Sequence, residues 1–152
     1  MRIHAIVALV LVLMVYSSIS VFAHCEIPCG IYGDEERFKA IAEDLETIEK
    51  SMTQIKALSA NPNENMNQLV RWVNNKETHA DHIRDTIAQY FLAQRVKAPA
   101  SSDTVAQDEY VKKLSLLHKM VVSAMKCKQT VDTEHVKNLH NLLHQFQDLY
   151  QK

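Results

Sequence analysis

Apolar residues return every three or four positions along almost the whole second part of this chain. Phe38, Ile41, Leu45, Ile48, Met52 and Ile55 alternate in steps of three and four. That spacing draws a narrow stripe down one face of an α-helix and does not fit the two-residue alternation of a half-buried strand. A second segment, about 64–97, carries Met66, Leu69, Val70, Val73, Ala80, Ile83, Ile87, Tyr90 and Phe91 on one side. A third, about 103–128, has Tyr110, Leu114, Leu117, Val121 and Met125, and a fourth, about 131–150, has Val136, Leu139, Leu142, Leu143, Phe146 and Tyr150. Two glycines and three prolines in 152 residues leave little material for strands joined by tight turns. Four amphipathic helices with short connections predict an all-α, antiparallel four-helix bundle over residues 34–150.

The breaks are written in the sequence. Asp34, Glu35 and Glu36 put acids on the first turn of the first helix, where the dipole favours them. Asn61-Pro62-Asn63 interrupts the pattern, with Asn63 as the expected cap of the second helix. Pro99 to Asp103 forms a loop with its own cap candidates. Lys126 to Gln129 is a weaker junction, and one long bent helix is the alternative there.

Residues 1–23 read as an export leader. Arg2 gives a positive start, Ala5 to Tyr16 are an unbroken apolar run, and Val21-Phe22-Ala23 places small residues at the positions a signal peptidase reads. The run falls short of the about 20 apolar residues a spanning helix needs. An uncleaved anchor is the alternative. Cutting after Ala23 leaves one domain, residues 24–152, with 16 Lys plus Arg against 18 Asp plus Glu. That net charge of −2, with no basic cluster interleaved with aromatics, argues against nucleic acid as a partner.

The same cut makes His24 the first residue of His24-Cys25-Glu26-Ile27-Pro28-Cys29-Gly30-Ile31-Tyr32. The freed α-amine of His24 and the amide nitrogen of Cys25 close one five-membered chelate ring, and the Cys25 thiolate closes the next. Cys29 reaches back across a short loop with a second thiolate. Two nitrogens and two sulfurs in a plane suit a square-planar d8 ion such as Ni(II), and the His24 imidazole is left for an axial approach. Anionic donors also lower the potential of a higher oxidation state. Cu(II) fits the geometry but is prone to reduction by thiolates, and zinc has no redox chemistry. Pro28 can hold a tight reversal between the thiols, and Gly30 permits unusual backbone angles. In an exported protein a simple Cys25–Cys29 disulfide is the competing reading.

The string H-C-E-I-P-C-G-I-Y at an expected mature terminus resembles the nickel hook of nickel superoxide dismutases, H-C-x-x-P-C-G-x-Y, at all six fixed positions: His24, Cys25, Pro28, Cys29, Gly30 and Tyr32. Asn67-Gln68-Leu69-Val70-Arg71-Trp72-Val73-Asn74-Asn75-Lys76-Glu77 also looks like family sequence. The resemblance implies a helical bundle, assembled as a homohexamer, behind an irregular N-terminal metal-binding hook at 24–32. It implies a nickel cofactor held by the amine and imidazole of His24, the amide nitrogen and thiolate of Cys25, and the thiolate of Cys29. It implies superoxide as substrate, with Tyr32 gating or orienting the anion beside the metal. A leader peptidase is the implied processing partner. Glu26 stands where aspartate is common, and the strongly hydrophobic leader favours export. Glu43, Asp44 and Arg71 are candidates for the group that holds the axial imidazole. A non-enzymatic exported protein that binds nickel, copper or zinc as a chaperone or sensor is the alternative function. A disulfide-stapled interaction module is a third.

Other chemistry-bearing residues take ordinary readings. His79 with His82, and His140 with His144, share helix faces, but neither pair has the Glu-x-x-His pattern of a di-iron bundle. They are read as structural or solvated. Cys127 reads as a lone thiol near a helix end, Trp72 as core or interface, and Lys112, Lys113 and Arg71 as a solvated face.

Overall fold

The computed structural model describes residues 33–151. The leader and the hook lie outside the described residues. Four helices follow: α1 (Glu35–Leu58), α2 (Pro62–Asp85), which continues without a break as a π-helix (Thr86–Arg95), α3 (Thr104–Gln129) and α4 (Glu134–Tyr150). No strand occurs among the described residues. α1 packs most extensively on α2, α3 on α4, and the α2–α3 and α1–α4 faces close the bundle. The expected all-α four-helix bundle is the observed architecture.

The helix ends follow local chemistry. Asn61 precedes Pro62, which sits at the first position of α2, where its missing N–H costs nothing. Asn63, expected as a cap, is therefore already inside the helix. Asp103 Oδ1 accepts the Ala106 N–H at 2.9 Å and caps α3. Thr130 leaves α3 with an extended backbone, and Asp132 Oδ1 accepts the Glu134 N–H at 3.0 Å. The junction is thus a true turn, and the bent single helix is ruled out.

The core matches the stripes of α1 and α4, with only Tyr150 at the end of α4 half-buried. Phe38, Ile41, Leu45, Ile48, Met52, Val136, Leu139, Leu142, Leu143 and Phe146 are all buried. α3 buries Leu117, Met120, Ala124 and Cys127, while Met125, expected in the stripe, is exposed. The first half of α2 departs further. Met66 and Val70 are 56% and 51% exposed, and Val73 lies outside as well. The reason is the length of the partners. Lys76 is buried, and its Nζ donates to the carbonyl oxygens of Cys127 (2.7 Å) and Lys128, closing the C-terminal end of α3. α3 stops level with Lys76, and α4 returns from there. Residues 62–75 of α2 and the end of α1 therefore run past both as a two-helix overhang.

At the other end an aromatic cluster fills the bundle. Phe38, Phe91 and Phe146 stack with centroids 5.0–5.8 Å apart, and Tyr150 lies 5.5–5.7 Å from each of them. Tilted and edge-to-face pairs of this kind add to the hydrophobic gain of burying the rings.

Candidate metal centre

The expected ligands His24, Cys25 and Cys29, together with Tyr32, lie outside the described residues. The description begins at Gly33, one residue after the hook. Gly33 has φ 81°, the one positive value among the described residues. A Cβ there would meet nothing within 4 Å, so glycine is needed for the backbone angle and not for space.

Asp34 comes next, and its side chain does not cap its own helix. Its carboxylate instead reaches three groups from distant parts of the chain. Oδ1 accepts from the Tyr90 hydroxyl, and Oδ2 accepts from Arg95 Nη2 and from the Tyr150 hydroxyl, both at 2.7 Å. Arg95 Nε also donates to the Tyr150 oxygen at 3.3 Å. The π-helix makes this possible. Residues five apart would point about 140° away from each other on an α-helix of 3.6 residues per turn. Here Val96 N–H bonds the Phe91 carbonyl at 2.8 Å, five residues back, so one turn separates Tyr90 from Arg95 and both face Asp34. π-turns of this kind gather at functional sites.

The electrostatics follow from the contacts. Burial alone would raise the Asp34 carboxyl, but hydrogen bonds from Arg95, Tyr90 and Tyr150 outweigh it and hold the group below its ordinary value. Burial, then the bond to Asp34, pushes the Tyr90 phenol up to about 12. Tyr150 is raised for the same two reasons. Both phenols are therefore neutral donors at neutral pH. The guanidiniums of Arg37 and Arg95 lie 5.4 and 5.8 Å from the centre of the Tyr90 ring. Beside Tyr150 a cleft of about 260 Å³ is lined by Arg95, Lys97 and Lys113 against one acid, Glu109. Lys113, read from sequence as solvated, lies 5.8 Å from the Tyr150 ring centre.

Of the three candidates for the axial partner, Glu43 and Arg71 are exposed, and Arg71 lines a polar cleft with Trp72. Asp44 is engaged by His79, whose Nδ1 lies 2.6 Å from Asp44 Oδ1, with His82 Nδ1 at 3.5 Å. Trp72 is half-buried. Cys127 is fully buried, and burial pushes its thiol up to about 11, against a smaller lowering by Lys76. It is an inert packing residue. His140 and His144 stack edge to face at 4.5 Å without a third donor among the described residues.

The family model for nickel-containing superoxide dismutase matches residues 19–152, which takes in the complete hook pattern and every described helix. The chain belongs to the nickel-containing superoxide dismutase family. No curated protein and no solved structure matches it. Membership makes the chain an oxidoreductase that acts on superoxide with a nickel cofactor. The donors in the sequence fit that ion: thiolates and amine or amide nitrogens are the set that stabilises nickel in two oxidation states. For a nickel superoxide dismutase the Asp34 knot has a plain meaning. It fixes the chain two residues behind Tyr32, at a point beside the guanidiniums of Arg37 and Arg95.

The sequence reading missed the Asp34 partners. Their signal was present but weak: Tyr90 and Arg95 are five apart, a spacing that only a π-turn brings onto one face. It also missed Asp44 as the third group beside His79 and His82, because a pattern search within one helix cannot see a carboxylate on its neighbour.

Proposed function

We propose that the chain is exported, is cut after Ala23 by a leader peptidase, and dismutes superoxide through the new N-terminus. The ion is held by the amine and imidazole of His24, the amide nitrogen and thiolate of Cys25 and the thiolate of Cys29. Nickel supplies the one-electron cycling between its 2+ and 3+ states by which one superoxide leaves as dioxygen and a second, with two protons, as hydrogen peroxide. The chain's own groups bind and orient. Pro28 shapes the loop between the thiols, and Tyr32 orients the anion with its phenol. Arg95, Lys97 and Lys113 raise the local concentration of a small anion near the exit of the hook, an attraction that salt weakens. The observation that carries the reading is a family match that runs through all six fixed positions of the hook.

Self-association, as a hexamer by resemblance, belongs to the same proposal. The exposed Met66, Val70 and Val73 on the overhang support it, since clustered apolar side chains rimmed by polar ones mark protein contacts.

N-terminal sequencing combined with metal analysis of one native sample tests the reading. The expected result is His24 at the terminus, one nickel per chain and superoxide dismutation. A mature chain that keeps residues upstream of His24 and still dismutes superoxide overturns the ligand set.

A further inference from the structure

We infer that Asp44, His79 and His82 form a second divalent-metal site, on the outside of the α1–α2 pair and independent of the hook. Three observations carry it. First, the donors converge from two helices. His79 and His82 are three apart and share a face of α2, and Asp44 faces them from α1. One donor atom from each lies within 4.8 Å of the others.

Second, the spacing is that of ligands around one ion. Zinc–nitrogen and zinc–carboxylate bonds run about 2.0–2.2 Å. Two such bonds at angles between a right angle and tetrahedral hold their donor atoms about 3.0–3.5 Å apart. Asp44 Oδ1 stands 3.5 Å from His82 Nδ1, at the upper edge of that span, and 2.6 Å from His79 Nδ1, below it, so an ion between them needs that pair to open slightly. The shorter contact is also an ordinary hydrogen bond. The longer one is too long for a good hydrogen bond; His82 is held beside the pair by an edge-to-face contact with the His79 ring, centroids 5.3 Å apart, which keeps the three donors together.

Third, the surroundings suit an ion that exchanges with solvent. The Asp44 side chain is 13% exposed and the His82 side chain 55%. The carboxylate is thus held in place by its helix while the third donor opens to water, which leaves positions for water ligands. Two imidazoles and one carboxylate suit borderline divalent ions such as zinc and nickel better than calcium or magnesium, which take oxygen donors. An ion there would cross-link α1 to α2 midway between the hook end and the overhang.

The test titrates Zn(II) into the full mature chain carrying Cys25→Ser and Cys29→Ser, so the hook thiolates cannot compete. One zinc per chain is expected to remain, with an X-ray absorption shell of nitrogen and oxygen only. His82→Gln, at an exposed position, and Asp44→Asn, nearly isosteric, should each weaken that binding at least about 100-fold, since loss of an outer-shell partner alone costs 10–100-fold. No zinc bound to the chain without the two hook cysteines overturns the site. Zinc binding unchanged by His82→Gln and Asp44→Asn overturns it too. So does a third outcome, in which those variants leave zinc stoichiometry alone but alter the Ni(III) resonance of the intact enzyme, because the cluster would then serve the hook. Failure of the hook ligands would show in the nickel content of the unsubstituted chain and leaves this titration unaffected.

Discussion

At one end of the bundle a single carboxylate, Asp34, ties together the start of α1, the π-turn after α2 and the last residue of α4. At the other end α1 and α2 run beyond their partners, and Met66, Val70 and Val73 face outward, uncovered by any of the described residues. The first end is closed by charge and aromatic rings, and both oxygens of the Asp34 carboxylate accept hydrogen bonds from the chain's own side chains. The second is open and apolar. The hook proposed for residues 24–32 joins the chain just before the closed end, at Gly33 and Asp34. The open end carries the exposed apolar face proposed above for self-association.

The largest effect is expected at the hook. Cys25→Ser or Cys29→Ser should remove nickel and drop dismutase activity to background, while helix content by circular dichroism stays unchanged. His24→Ala should keep part of the nickel and lose turnover. Full activity in either cysteine variant would break the assignment of chemistry to the closed end.

Next in size is the knot. Asp34→Ala would leave the buried Tyr90 hydroxyl without its acceptor and the part-exposed Arg95 guanidinium without its ion-pair partner. Hydrogen bonds to charged groups contribute about 1.5–3 kcal/mol each, so a loss of about 2–3 kcal/mol in unfolding free energy is expected from denaturant titration. The knot also carries a pH signature. Asp34 is lowered in the fold, so its contribution is present above the ordinary carboxyl range and is lost as pH falls through the lowered value. Tyr90 is raised to about 12, so its contribution is whole below pH about 10 and is lost between about 10 and 12. Tyr90→Phe should remove that alkaline step. A stability profile flat to pH 12 in the unsubstituted chain would show that the phenol is neither buried nor held by Asp34 as described. Smaller again is Gly33→Ala, expected to cost about 1–2 kcal/mol from a left-handed backbone alone, since its Cβ meets no atom.

The two ends were not equally legible. The stripes of α1 and α4 could be read because each lies in the bundle for nearly its whole length, so period and burial coincide. The stripe of α2 has the same period over Met66, Leu69, Val70 and Val73, yet burial begins only at Lys76. Periodicity reports that a face is apolar and is silent on what covers it. Lys76 shows the converse: a charged residue is buried because its ammonium satisfies carbonyls at the end of α3, fifty residues away. The family could be read because the residues that carry the resemblance, His24 to Tyr32, are nine consecutive positions. The knot could not, because Tyr90, Arg95 and Tyr150 lie 56 to 116 positions from Asp34 and depend on a π-turn that no residue type announces.

The smallest effect on the folded chain is expected at the open end, and there the comparison is sharpest. Met66→Gln and Val70→Asn replace side chains that are more than half exposed, so each should change monomer stability by no more than about 0.5 kcal/mol. If the overhang is a contact between copies, the pair of substitutions should nevertheless lower the molar mass measured by light scattering, because each buried apolar side chain adds about 1.5–3 kcal/mol to an interface. Asp34→Ala should do the reverse, weakening the chain without changing its assembly. A double variant that keeps both stability and mass would show that the apolar face of α2 is idle, and that the closed end alone accounts for what the fold must do.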